Sequence, residues 1–232
     1  MFEDNFDTLN KNTWRVLNDC STGNNCVYNN ELQVYLASQV YVTNGSLVIE
    51  ATNESYISCC WHAAVSQYGR FEARIKLPVG QGMWPAFWLM PRTSACWPTA
   101  GEIDIMEYTG DFPNTLNGPP CSQRRRTLMP IRQLPLWSIV QQPPHVGGLW
   151  HDGHGGHVEW TPTFISWLYD GSVYYILSSA QWAPSAFFFI PKDPFYFILN
   201  LAVGGDWPGS PNATTVFPQR MYVDYVRAYK RT

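Results

Sequence analysis

From Tyr68 to Leu77 the chain alternates without a break: Phe71, Ala73, Ile75 and Leu77 fall on one side, Arg70, Glu72, Arg74 and Lys76 on the other. That two-residue period marks a half-buried β-strand. A strand pair is written at Val40-Tyr41-Val42-Thr43 and Ser46-Leu47-Val48-Ile49-Glu50, with Asn44-Gly45 between them. Asn-Gly supplies the positive φ angles of a tight hairpin turn. Phe164 to Tyr169 and Val173 to Ile176 repeat the arrangement around Asp170-Gly171, and Phe195 to Leu201 and Met221 to Tyr229 add two more runs. Helix signals are weak: 18 Pro and 17 Gly are scattered throughout, and no long window carries the i, i+3, i+4, i+7 apolar pattern. Short strands at this spacing predict an all-β sandwich or barrel, in one domain over 1–232.

One stretch breaks the pattern. Phe112 to His151 contains no Asp, Glu or Lys, yet holds seven of the 18 prolines and four arginines, Arg124, Arg125, Arg126 and Arg132. A structureless segment this long is unusual inside a compact domain. Residues 112–151 are therefore expected to be either a long surface insertion or a local change of reading frame that replaced strands.

Composition narrows the partners. Only 14% of residues are charged and the formal net charge is −3, which does not suit a nucleic-acid binder with its dense Lys/Arg surface. The longest apolar runs, Phe187 to Ile190 and Phe195 to Val203, are shorter than the roughly 18 residues of a membrane-spanning helix. A neutral partner, no membrane and a monomer are expected. Six cysteines (Cys20, Cys26, Cys59, Cys60, Cys96, Cys121) lack zinc-site spacing and permit disulfides, in about 15 pairings that sequence does not choose among. With the sequons at Asn44, Asn53 and Asn212 they suggest secretion, although Met1 leads straight into domain-like sequence without a leader.

The chemistry is concentrated in Gly101-Glu102-Ile103-Asp104-Ile105-Met106-Glu107-Tyr108. On a strand, Glu102 and Asp104 share a face while Ile103 and Ile105 point inward. Glu107 is out of phase, and a β-bulge near Met106 would restore it to the face of the other two. Two such carboxyls are the equipment of retaining glycoside hydrolysis, one attacking the sugar carbon and the other donating a proton to the leaving oxygen. An intermediate acid such as Asp104 can share a hydrogen bond with the nucleophile. The plainer alternative is an acidic, solvated strand face. Nearby Trp84, Trp88 and Trp97 suit the C–H faces of sugars, although each alone also fits core packing, the better reading for Trp88. Asn30 and Arg70 are polar residues able to orient carboxylates and hydroxyls, or simply to sit at the surface.

The segment Gly101 to Glu107 resembles the motif of glycoside hydrolase family sixteen, most closely its laminarinases, the endo-β-1,3-glucanases. Tyr68-Gly-Arg-Phe-Glu-Ala-Arg-Ile-Lys-Leu-Pro78, Gly82-Met-Trp-Pro-Ala-Phe-Trp88, Asn29-Asn-Glu-Leu-Gln33, Val158-Glu-Trp-Thr-Pro162, Phe197-Ile-Leu-Asn-Leu-Ala-Val-Gly-Gly205 and Met221-Tyr-Val-Asp-Tyr-Val-Arg227 extend the likeness. The resemblance implies a β-jelly-roll of two curved antiparallel sheets with a concave cleft for a polysaccharide, β-1,3-glucan. It implies Glu102 as nucleophile, Glu107 as acid/base, Asp104 as assisting acid, and Asn30, Arg70, Trp84 and Trp97 as residues shaping the glucan subsites. It also implies a structural calcium ion held by Asn5, Gly45 and Asp224, with an Asn in place of the family's usual Glu. The chain departs from the family after the acids: Thr115-Leu-Asn-Gly118 puts Asn117 where a cleft histidine is usual. Endo-hydrolysis is the expected activity; a non-catalytic glucan-recognition module, transglycosylation and mixed-linkage glucan hydrolysis are the alternatives.

Overall fold

The computed structural model describes residues 1–16, 29–54, 62–63, 65–93, 101–110, 155–179 and 190–230. The six cysteines, Trp97, Asn117 and the segment 112–151 lie outside the described residues. The strands are β1 (Phe2–Asp4), β2 (Trp14–Arg15), β3 (Val40–Thr43), β4 (Ser46–Ala51), β5 (His62–Ala63), β6 (Val65–Ser66), β7 (Gly69–Lys76), β8 (Met83–Pro91), β9 (Ile103–Glu107), β10 (Gly155–Trp160), β11 (Phe164–Tyr169), β12 (Ser172–Ser178), β13 (Phe195–Val203) and β14 (Gln219–Tyr229). A 3-10 turn at Ala37–Gln39 is the one helical element among the described residues.

Two antiparallel sheets make the sandwich. The larger runs β12-β11-β10-β7-β14-β4-β3, with β1 also paired to β14, and the smaller runs β6-β13-β8-β9; β2 and β5 form a separate pair. The expected hairpins are present. Thr43 pairs with Ser46 across Asn44 (φ 51°) and Gly45 (φ 71°), the backbone that Asn-Gly adopts at low cost. Asp170 and Gly171 turn β11 into β12 in the same way.

Alternation decides what is buried. In β7, Phe71, Ala73 and Ile75 are buried in the core, as Leu77 is just beyond it; Arg70, Glu72 and Arg74 take the other face, where Arg70 and Arg74 are exposed and Glu72 is buried against Arg70 and Tyr229. Phe71 from the larger sheet meets Phe197 of the smaller one edge-on at 5.7 Å, and Phe197 stacks on Phe87 at 5.7 Å. Such interlocked rings each contribute about 1.5–3 kcal/mol by leaving water. Strand β8 carries two prolines, Pro85 and Pro91, yet pairs with β13 over its whole length. Sequence alternation overlooks it because Pro argues against an inner strand and because Met83 to Pro91 is apolar on both faces.

Candidate active site

The acids lie on β9 and the residue before it. Successive β8–β9 pairs are Phe87 with Met106 and Trp88 with Asp104, so β9 advances two residues where β8 advances one. This is the bulge expected near Met106. Its effect is visible in burial: Ile103, Ile105 and Met106 are at most 2% exposed, while Glu102, Asp104 and Glu107 are all partly exposed. Two adjacent residues thus point into the core, and the three carboxyls share the face turned away from it. The Asp104 carbonyl accepts a hydrogen bond of 2.7 Å from Nε1 of Trp167, on β11 of the opposite sheet.

The carboxyls are electrostatically distinct. Burial, followed by the charges of Glu102 and Glu107 and a hydrogen bond to Glu102, raises the Asp104 carboxyl well above the ordinary aspartate value. Burial is also the largest cause acting on Glu107, aided by Glu102 and Glu31 and opposed by the Trp84 N–H, and the balance pushes Glu107 up to about 7. Trp84 Nε1 donates to Glu107 Oε1 at 2.9 Å. A protonated Asp104 hydrogen-bonded to Glu102, beside a Glu107 whose proton affinity is raised to near neutrality, sets a proton donor next to a second carboxyl.

Aromatic and amide groups frame these acids. The Trp84 ring meets Trp207 edge-on at 5.3 Å. Residues Asn29 and Asn30 take positive φ, a backbone that Asn tolerates better than most residues, and this carries Glu31 to a bridge with Gly204. Asn30 Nδ2 donates to Asp206 at 2.9 Å, and Gln33 Nε2 donates to Glu31 at 2.7 Å while its Oε1 accepts from the Val203 N–H. Gly205 (φ 108°) lies where a Cβ would come within 3.3 Å of both Glu31 and Trp84. Glu31 is thereby packed near the indole that holds Glu107, and burial raises its own proton affinity. Trp88 donates to Asn200 at 2.8 Å, and Asn200 to the Tyr35 hydroxyl.

Of the expected site residues, Glu102, Asp104, Glu107 and Trp84 come together, with Asn30 on the adjoining loop. Arg70 does not join them. It stands on the outward face of β7 in the other sheet, bonded to Glu72 at 2.7 Å and lying over the Tyr229 ring. Alternation groups Arg70 with Glu72 but does not say which sheet lines the cleft. The core role expected for Trp88 is also corrected: it shares the face of Trp84 and pairs with Asp104. Sequence reading passed over Glu31, Trp207 and Asn200. An Asn inside the apolar run of β13 was the available signal for the last, since a polar group there needs partners; nothing local marked Glu31 above Asn30.

The proposed calcium ligands meet a different fate. Strand β14 exchanges β4 for β1 as its neighbour between Val223 and Val226, which brings the positions of Gly45, Asn5 and Asp224 toward one another. Yet Asp224 is paired with Arg74 at 2.7 Å, and the Asn5 side-chain oxygen accepts from Arg227 at 3.1 Å. Calcium takes roughly six to eight oxygens, and both side chains of this set, Asp224 and Asn5, are engaged by arginines, which the ion would have to displace. Among the described residues no group of three or more His, Cys, Asp or Glu is placed to hold a metal, and no step below passes through one.

The family model "Glycosyl hydrolases family 16" matches residues 27–227. The chain belongs to glycosyl hydrolase family 16. It is 35% identical over 225 residues to a beta-glucanase of Rhodothermus marinus, covering 87% of this chain and 75% of that protein. It is 36% identical over 236 residues to glucan endo-1,3-beta-glucosidase A1 of Niallia circulans, covering 87% of this chain but 32% of that one, so it spans about a third of the latter's length. The laminarinase catalytic domain of Thermotoga maritima superposes with a TM-score of 0.78 at 31% identity, over 100% of this chain and 98% of that domain. A family 16 jelly roll accounts for the two antiparallel sheets and for the acid-bearing strand in the smaller one.

Proposed function

We propose that this family 16 protein is a retaining endo-β-1,3-glucanase. The observation that carries the reading is the bulge in β9, which puts Glu102 and Glu107 on one face with a proton-rich Asp104 between them. Glu102 attacks the anomeric carbon as the glycosidic bond breaks, and Glu107 gives its proton to the departing oxygen. Glu107, now ionised, takes a proton from water, and the resulting hydroxyl displaces Glu102 from the sugar. The Asp104 proton, shared with Glu102, stabilises the carboxylate as it leaves. Trp84 keeps Glu107 aimed through its N–H, and Trp84 and Trp207 offer ring faces to sugars.

The β-1,3 linkage is supported by the substrates that the names of the Niallia and Thermotoga relatives state. Transglycosylation uses the same residues and differs only in the acceptor. Incubation with laminarin, barley-type mixed-linkage glucan and agarose, read by reducing ends, tests the reading. Release from laminarin above the other two is expected; binding of laminarin with no release would make the chain a recognition module instead. Secretion belongs to the same proposal, supported by the exposed positions of Asn44, Asn53 and Asn212 in their sequons, as does action as a monomer on a single catalytic domain.

A further inference from the structure

We propose that Trp167 is a positioning residue for the acid-bearing strand: its buried indole N–H, delivered from the opposite sheet, fixes the Asp104 main chain beside the bulge and thereby the spacing of the carboxyls on either side. The inference rests on the reading of Glu102 and Glu107 as the reacting pair.

Three observations converge on it. Trp167 is 2% exposed and donates to Asp104 O at 2.7 Å. In a regular ladder a strand carbonyl is met by a neighbouring strand within its own sheet, but this one is met through the core, next to the extra residue that interrupts pairing with β8. Trp167 is itself held from two sides: it pairs with Val158 on β10 and, beside a register shift in the β11–β12 ladder, with Tyr175 on β12, whose ring meets its own edge-on at 5.7 Å. A bulge is the softest point of a strand, because the ladder bonds that would fix it are disturbed. A single donor from a buried indole at that point determines how the peptide at Asp104 is turned. Asp104 lies between Glu102 and Glu107, so its rotation would separate proton donor from nucleophile.

A buried indole also needs some acceptor simply to satisfy its N–H, and Trp160 provides the comparison. It is equally buried, lies in the same sheet, and donates to the carbonyl of Pro191, on a segment that carries none of the site's acids. Trp167→Phe and Trp160→Phe remove the same atoms from the same core. Both are expected to lower the melting temperature, but only Trp167→Phe lowers kcat on laminarin, by about 10- to 100-fold, with KM within about twofold of the parent because the groups that bind glucan are untouched. Equal kcat losses in the two variants, or a Trp167→Phe variant with full kcat, would overturn the inference while leaving the assignment of Glu102 and Glu107 intact; that assignment is tested on the parent and on Glu102→Gln. Trp167→Tyr, which restores a donor, is the second arm. It is expected to regain part of the kcat lost in Trp167→Phe, and a kcat no better than the Phe variant counts against the inference. Where Trp167→Phe does not fold, Trp167→Tyr is read against Trp160→Tyr by the same criterion.

Discussion

Replacing Glu107 by Gln removes a group that holds its proton more tightly in the folded chain than in the unfolded one. Its carboxyl is raised from 4.5 to about 7, with burial as the main cause and Glu102 and Glu31 adding to it. Each tenfold in proton affinity corresponds to about 1.4 kcal/mol, so ionising Glu107 costs the folded state at most about 3 kcal/mol once the pH exceeds 7. Water in the open face screens part of this, leaving about 1–2 kcal/mol. The sign follows from the direction: stability is full below about pH 4.5 and falls as the pH rises toward 7. Gln keeps an oxygen for the Trp84 N–H and never ionises, so Glu107→Gln is expected to melt above the parent at pH 8, by about 2–6 °C for a domain of this size. At pH 4 the two should melt together. Thermal unfolding at both pH values is the assay. A Gln variant no more stable than the parent at pH 8, or one whose advantage persists unchanged at pH 4, would refute the placing of a proton-holding Glu107 beside Glu102.

The same substitution should reduce kcat on laminarin by about 10²–10⁴-fold, the usual worth of a general acid, and Glu102→Gln should abolish turnover; full activity in either removes its assigned role. Glu31→Gln takes away a negative charge that favours protonated Glu107, so the alkaline limb of the pH–rate profile should move to lower pH, and a limb that stays in place disproves the coupling. Trp84→Phe deletes the N–H that favours the anion, so that limb should move the other way, to higher pH. Gly69→Ala sets a Cβ 2.0 Å from the Tyr229 carbonyl at a φ of 128° and should cost at least about 2 kcal/mol in denaturant unfolding; a neutral result would mean that β7 and β14 are not so closely opposed.

Legibility in the sequence followed how local each cause was. The Asn44-Gly45 turn and the alternation of Tyr68 to Leu77 are set by neighbours in the chain, and both stand where the pattern put them. The bulge was legible too, because Glu107 can join Glu102 only if one residue is absorbed between them. For Arg70 the sequence left a cleft and a surface position open, and the structure places it on the surface of the other sheet: a two-residue period separates the two faces of a strand without saying which of two sheets meets the substrate. Strand β8 was hidden by Pro85 and Pro91, whose missing N–H groups normally count against an inner strand. Glu31 gained its place from a long-range bridge to Gly204, an encounter with no trace in its own neighbourhood.

The extra residue in β9 has a consequence for how this strand can change over time. With Met106 deleted, glutamate, isoleucine, aspartate, isoleucine and glutamate would follow one another in unbroken alternation, and all three acids would still point the same way. The extra residue is therefore taken up in the bulge, where two residues of β9 stand against one of β8, so the span from Asp104 to Glu107 still matches two steps of β8. Loss of a single codon here would straighten the strand and still leave the three acids on one face, whereas the same event in a regular strand would invert every side chain that follows.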